Sequence, residues 1–159
     1  MIPTEYLLIS HRGNLSGPQP EWENHPDYIR QALAQGFQAE IDVRAEGGSW
    51  RLGHDSAQFL VDADFLLQPG LWCHAKDLLT LKALMDLGAH CFFHDTDAAT
   101  LTSQGWIWTF PGKALTARSI AVVPEKAFPS DRAKAWGYAR EAAGICSDWV
   151  GDFKHAFRQ

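Results

Sequence analysis

Two histidines and two carboxylates, His11, His54, Glu40 and Asp42, stand at places along the chain that suit phosphoryl chemistry. Splitting a phosphodiester needs a base for the nucleophile and an acid for the leaving oxygen. Histidine, with an unperturbed pKa of about 6.5, can do either. Glu40 and Asp42 are two residues apart in an alternating stretch, so a strand there would turn both to one face. If that face is solvated, the pair needs no explanation. If it is buried, two like charges repel unless a cation lies between them, and the pair reads as a metal site. Arg12, beside His11, offers a guanidinium fork that matches phosphate oxygens; an ion pair with Glu40 or Asp42 is its other reading.

The elements that must position these groups follow from periodicity. Residues 6–10 form a short apolar run ending at Arg12-Gly13, a first strand. A Gly/Pro/Asn-rich loop leads to a helix over 27–35, with Gly36 just beyond its end. Residues 37–43 alternate strictly, Phe37, Ala39, Ile41 and Val43 against Gln38, Glu40 and Asp42. A turn at Glu46-Gly47-Gly48 precedes the segment that carries His54. Further on come a strand over 71–76, a helix over 77–87 closed by Gly88, a strand over 90–94 and a short helical piece over 97–103. Strands over 106–110 and 119–123, a helix over 130–143 capped by Ser130, and a last strand over 144–148 complete the series.

Strand and helix in alternation point to a parallel β/α architecture, with polar residues gathered where strands end. A full (β/α) barrel takes about 250 residues. The 159 residues here imply a shortened TIM-type (β/α) barrel with several helices reduced or missing, as a single domain over 1–159. A net charge of −5 without a basic run argues against nucleic acid as partner. The apolar runs are too short for a membrane span, and residues 1–5 lack the basic start of a signal peptide. Three widely spaced cysteines, Cys73, Cys91 and Cys146, read as buried thiols of a cytoplasmic protein. The seven tryptophans read first as core. Trp72, Trp106 and Trp108 could also wall a pocket for a sugar or quaternary ammonium group, and His94 could enter the site.

His11-Arg12-Gly13, Glu23-Asn24, Glu40-Ile41-Asp42-Val43, Glu46-Gly47-Gly48 and His54-Asp55 follow one another in the order and spacing of a known signature. Over roughly its first 55 residues the chain resembles the glycerophosphodiester phosphodiesterases, of the phospholipase-C-like phosphodiesterases. The resemblance implies a TIM barrel, His11 and His54 as acid–base pair, and Glu40 and Asp42 as metal ligands. Lys76 matches the family's phosphate-binding lysine, with Arg12 beside it. His74 stands where the family places a third, acidic ligand. An imidazole there can bind a divalent ion; Glu125, Asp148 or water are the alternatives. The last strand, 144–148, also resembles the family's closing strand.

The expected function is therefore metal-dependent hydrolysis of a small-molecule phosphodiester, glycerophosphodiester-like or of a related lipid or sugar. The expected cofactor is one divalent ion (Mg2+, Ca2+ or Mn2+) on Glu40, Asp42 and His74. The alternative is a non-catalytic module that keeps the pocket and binds a ligand.

Overall fold

In the computed structural model, residues 6–157 are described. The leader reading of residues 1–5 lies outside them. Among the described residues the strands are β1 (Leu7–His11), β2 (Gln38–Glu46), β3 (Ser49–Leu52), β4 (Phe59–Val61), β5 (Leu71–Ala75), β6 (Cys91–Phe92), β7 (Ala99–Leu101), β8 (Ile107–Thr109), β9 (Ser119–Val122) and β10 (Gly144–Ser147). The α-helices are α1 (Pro26–Ala34), α2 (Ala63–Leu66), α3 (Leu78–Leu87), α4 (Arg132–Ala139) and α5 (Val150–Ala156).

All ten strands belong to one sheet. Seven of them, in the spatial order β6-β5-β2-β1-β10-β9-β8, are mutually parallel. The nine-residue β2 is the spine. Glu40 and Asp42 present their carbonyls to Arg12 and Gly53, whereas Val43 presents its carbonyl to Lys76. Thus β1 and then the antiparallel β3 share one edge of β2, and β5 takes the other. Antiparallel β4 and β7 extend the sheet from β3 and β8.

The sheet is mixed and curls into a half-barrel, which corrects the expectation of a shortened TIM-type (β/α) barrel. The reason lies in the connections. No helix follows β6: the stretch expected as a helical piece over 97–103 instead forms β7, hairpinned onto β8. Thr100 and Thr102 show why. Thr100 Oγ1 donates to the Phe93 carbonyl at 2.8 Å, and Thr102 N donates to the Trp106 carbonyl at 2.9 Å. These β-branched residues fasten the strand to both neighbours instead of following a helical stripe. The hairpin β3–β4 likewise takes residues that a repeating β/α unit would spend on a helix.

The curl creates an inside and two outsides. Inside pack Ile9, Trp72, Phe92, Trp108, Ile120 and Cys146. One outer face, with Ile41, Cys73, Ala75 and Cys91, is covered by Ile29 of α1, Phe65 of α2 and Leu84 of α3. The other, with Ala121 and Ile145, is covered by Ala139 of α4 and Phe153 of α5. Trp72 is a core residue, as the first reading of the tryptophans has it, whereas Trp108, equally buried, also lines the cavity described below.

Helix ends follow local chemistry. Asp77 caps α3 by accepting from Thr80 N, and left-handed Gly88 closes it. Asp131, not Ser130, caps α4, which stops at Ala139 because the strand that follows must start at Gly144. On α3, Leu84 is buried, whereas Leu78 and Met85 face out. All three cysteines are buried free thiols. Among the described residues no helix is long and apolar enough to cross a membrane.

Gly144 tests the register directly. A Cβ there would lie 2.6 Å from Leu7 Cβ and 2.7 Å from the Leu7 carbonyl, because β1 and β10 meet at that level. Gly144→Ala is expected to cost about 1–3 kcal/mol of stability, read as a lowered urea midpoint with an unchanged slope. An unchanged midpoint would contradict this strand pairing.

Candidate active site

The sheet sends a set of side chains to the carboxyl ends of its parallel strands. Alternation turns Glu40 and Asp42 of β2 inward, and the parallel register sets Trp72 and His74 of β5 beside them. His11 ends β1 opposite Glu40. After it the chain reverses sharply, with Arg12 at φ 56 and Gly13 at φ 93. A Cβ on Gly13 would lie 2.6 Å from the Tyr28 ring, so only glycine lets α1 approach this turn.

Glu40, Asp42 and His74 each offer a ligand atom, and these atoms all lie within 4.8 Å of one another. His74 Nδ1 is 3.6 Å from Glu40 Oε1 and 3.3 Å from Asp42 Oδ1. Burial opposes the charged form of His74, but the two carboxylates outweigh it and raise the pKa above the ordinary value. The residues fit a divalent ion. Glu40 Oε2 is buried without a hydrogen-bond partner, and the donor set of two carboxylates and one imidazole is that of a first-row metal.

Asp42 is the most crowded group, with no solvent exposure. Asn24 Nδ2 donates to its Oδ2 at 2.9 Å, and Arg12 Nε lies 3.0 Å from the same oxygen. Lys76 Nζ donates to Oδ1 at 3.2 Å. Burial alone would raise its pKa; His74, Arg12 and Lys76 reverse that and hold the carboxyl well below its usual range. Arg12 also reaches Glu23 at 3.3 Å. Of its two readings, the ion pair with Asp42 is present in the structure.

His11 has a partner the sequence reading placed elsewhere. Its Nδ1 lies 2.7 Å from Asp148 Oδ1, which also accepts from Asn14 Nδ2 at 2.9 Å. The other ring nitrogen, Nε2, lies 3.9 Å from Glu40 Oε2. Burial works against the His11 cation, yet the Asp148 hydrogen bond and the charges of Glu40 and Asp148 prevail, and the pKa is raised. Asp148, opposed only by its own burial, is lowered by His11 and Asn14. Asp148 and Glu125, considered above as alternative ligands, are thus engaged otherwise. Glu125 Oε1 accepts from Ser147 Oγ and from Asp148 N, both at 3.0 Å.

His54 sits in the β3–β4 loop with its side chain 44% exposed and its Nδ1 2.7 Å from Asp55 Oδ1. Arg44 holds the loop through the carbonyls of Gly53 and His54. Even so, His11, His54, Arg12, Glu40, His74 and Lys76 all line one cavity of about 510 Å³. Its far wall is Trp108, Phe110, Pro111, Val122 and Val123, with Lys126 at the rim. His94 lines it too, its ring stacked on His74 at 4.4 Å. A wider open groove of about 880 Å³ lies between α1 and the β3–β4 hairpin, where Asp27 and Arg30 neutralise each other.

The structure therefore brings together all seven expected residues, Asp42 from beneath the cavity floor, and adds Asp148, Asn14 and Asn24. Asn24 was legible as part of the Glu23-Asn24 pair. The pairing of Asp148 with His11 was not, since 137 positions separate them. Comparison with protein-family models, curated proteins and solved structures finds no match.

The His11–Asp148 pair yields a titration test. With the folded pKa of His11 raised, its contribution to stability is fully present below the unfolded value and is lost as pH rises through the folded pKa. Asp148→Asn removes the hydrogen-bonded carboxylate that, with Glu40, raises that pKa. The His11 Cε1–H resonance should then titrate at a lower pH than in the native protein. An unmoved midpoint would show that Asp148 does not hold the ring.

Proposed function

We propose that this chain hydrolyses a small phosphodiester with the help of one divalent metal ion. One observation carries the reading: the free Nε2 of an Asp-paired histidine faces a buried carboxylate–imidazole cluster inside a cavity that also receives Arg12, Lys76 and a second histidine. The resemblance of the first 55 or so residues to the glycerophosphodiester phosphodiesterases supports the same chemistry, although the half-barrel departs from the fold that resemblance implies.

Glu40, Asp42 and His74 would hold the ion. When bound, it supplies Lewis-acid stabilisation of the charge that builds on the phosphoryl oxygens. Arg12 and Lys76, tethered to Asp42, are close enough to the cavity to orient a phosphate and offset its charge. His11, whose surroundings favour the imidazolium, donates its Nε2 proton to the leaving alkoxide, and Asp148 keeps the ring in the orientation for that transfer. His54, at the solvent side, accepts a proton from the attacking water, its ring held through Nδ1 by Asp55. The apolar wall limits water on the other side of the phosphorus.

A second reading rests on Asp42, both of whose oxygens already meet cationic or amide donors. A site so neutralised could bind an anion without turning it over. The two part experimentally on bis(p-nitrophenyl) phosphate. For the hydrolase, chelation abolishes nitrophenolate release and Mn2+ restores it. His11→Ala lowers kcat by about 10² or more, and Glu40→Ala shifts the Mn2+ dependence to higher concentration. No release at any Mn2+ concentration, with phosphate still bound, would decide for the binding module. A rate indifferent to both Mn2+ and His11→Ala would contradict the proposed mechanism.

A further inference from the structure

Beyond the groups already assigned, the cavity rim contains a strained turn. Val123 has φ 34 and ψ 57, a left-handed conformation that a β-branched residue adopts only when its surroundings enforce it. Several contacts do so. Val123 N donates to the Cys146 carbonyl at 2.7 Å, Pro124 fixes the next φ, and Lys126 N returns to the Val123 carbonyl at 2.9 Å. Glu125 is fastened beneath Asp148 by two hydrogen bonds. The turn thereby places Val123 in the cavity wall and brings Lys126 to the cavity from the side opposite Lys76.

The cations of the cavity differ in how free they are. Arg12 is paired with Asp42 and Glu23, and Lys76 with Asp42. Lys126 makes no ion pair among the described residues. Between it and the histidines lies a wall of Phe110, Pro111, Val122 and Val123, which offers an organic group contact but no hydrogen bond through its side chains. Two acidic groups line the cavity, Glu40 and Asp95, and the charge of Lys126 also acts on Asp148 without forming an ion pair with it.

We propose that the Val123–Lys126 turn is a second-anion subsite: the group on one side of the scissile phosphodiester carries an additional negative charge, which Lys126 receives, while its carbon skeleton packs on Phe110, Pro111 and Val123. The inference rests on the cavity accepting a phosphodiester and narrows the substrate class to phosphodiesters with one anionic and partly apolar substituent, such as a carboxylated or phosphorylated alcohol. The Val123 turn fixes the backbone from which the exposed side chain of Lys126 reaches the cavity lining.

The test uses two probes, p-nitrophenyl phenyl phosphate and its analogue with a carboxylate on the phenyl ring. The native protein should show a lower KM for the carboxylated probe. Lys126→Ala should shift the ratio of the two KM values by about fivefold, the scale of a partly exposed charge pair, Lys126→Glu should shift it further, and Lys126→Arg should restore it. Dissociation constants from calorimetry, with the same two probes and variants, give the ratio independently of turnover. Lack of turnover with the dissociation ratio behaving as stated would remove the hydrolytic reading and keep the subsite. A ratio near one in the native protein, or one indifferent to Lys126→Ala, would remove the subsite whatever the turnover.

Discussion

A carboxylate with no solvent exposure at the centre of a sheet must be neutralised, and much of this molecule answers that requirement at Asp42. Left ionised and unpaired, such a group costs several kcal/mol. Four residues from three parts of the chain converge on it: Arg12 after β1, Asn24 before α1, and His74 on β5 with Lys76 just beyond it. Each of these brings a piece of the cavity with it. The Arg12 turn presents His11, the Asn24 contact ties the long first loop to the sheet, and the β5 residues complete the floor. The wish to satisfy one buried charge thus assembles the groups that could act on another, that of a phosphate.

Under the charged floor lies a dry layer. Inside the curl Trp108 packs against both Trp72 and Phe92 with tilted rings, at 5.6 and 4.5 Å, and His74 stacks on Phe92 at 5.0 Å. Trp72 is itself anchored, its Nε1 donating to Gln38 Oε1 at 2.6 Å. With low-polarity material below and buried backbone around, charge interactions at the floor are weakly screened. There the neighbouring carboxylates act strongly enough that His11 and His74 favour their charged forms despite burial, and the buried, unpartnered Oε2 of Glu40 suits a cation.

The floor of this site was legible in the sequence because strand alternation is a strong, local signal. Gln38, Glu40 and Asp42 had to share a face because residues 37–43 alternate strictly, whereas His74 and Lys76 were marked by the resemblance. The architecture was not legible to the same degree. Residues 97–103 carry alanines and a leucine at spacings a helix tolerates, and only contacts with Phe93 and Trp106 show that Thr100 and Thr102 make them a strand. The short β4 and α2 and the closing α5 lacked a periodic stretch long enough to announce them. Asp148 was visible as a strand-end acid but not as the partner of His11, since nothing local links the first strand to the last.

The account stands on Glu40, Asp42 and His74 as a metal centre beside His11. Anomalous diffraction from crystals grown with Mn2+ tests this most directly. One Mn2+ peak bound by Glu40, Asp42 and His74 Nδ1, with Lys76 displaced from Asp42 Oδ1 and His11 still on Asp148, is the predicted result. Crystals that show Mn2+ only elsewhere, with the Lys76–Asp42 ion pair intact at saturating metal, would contradict it.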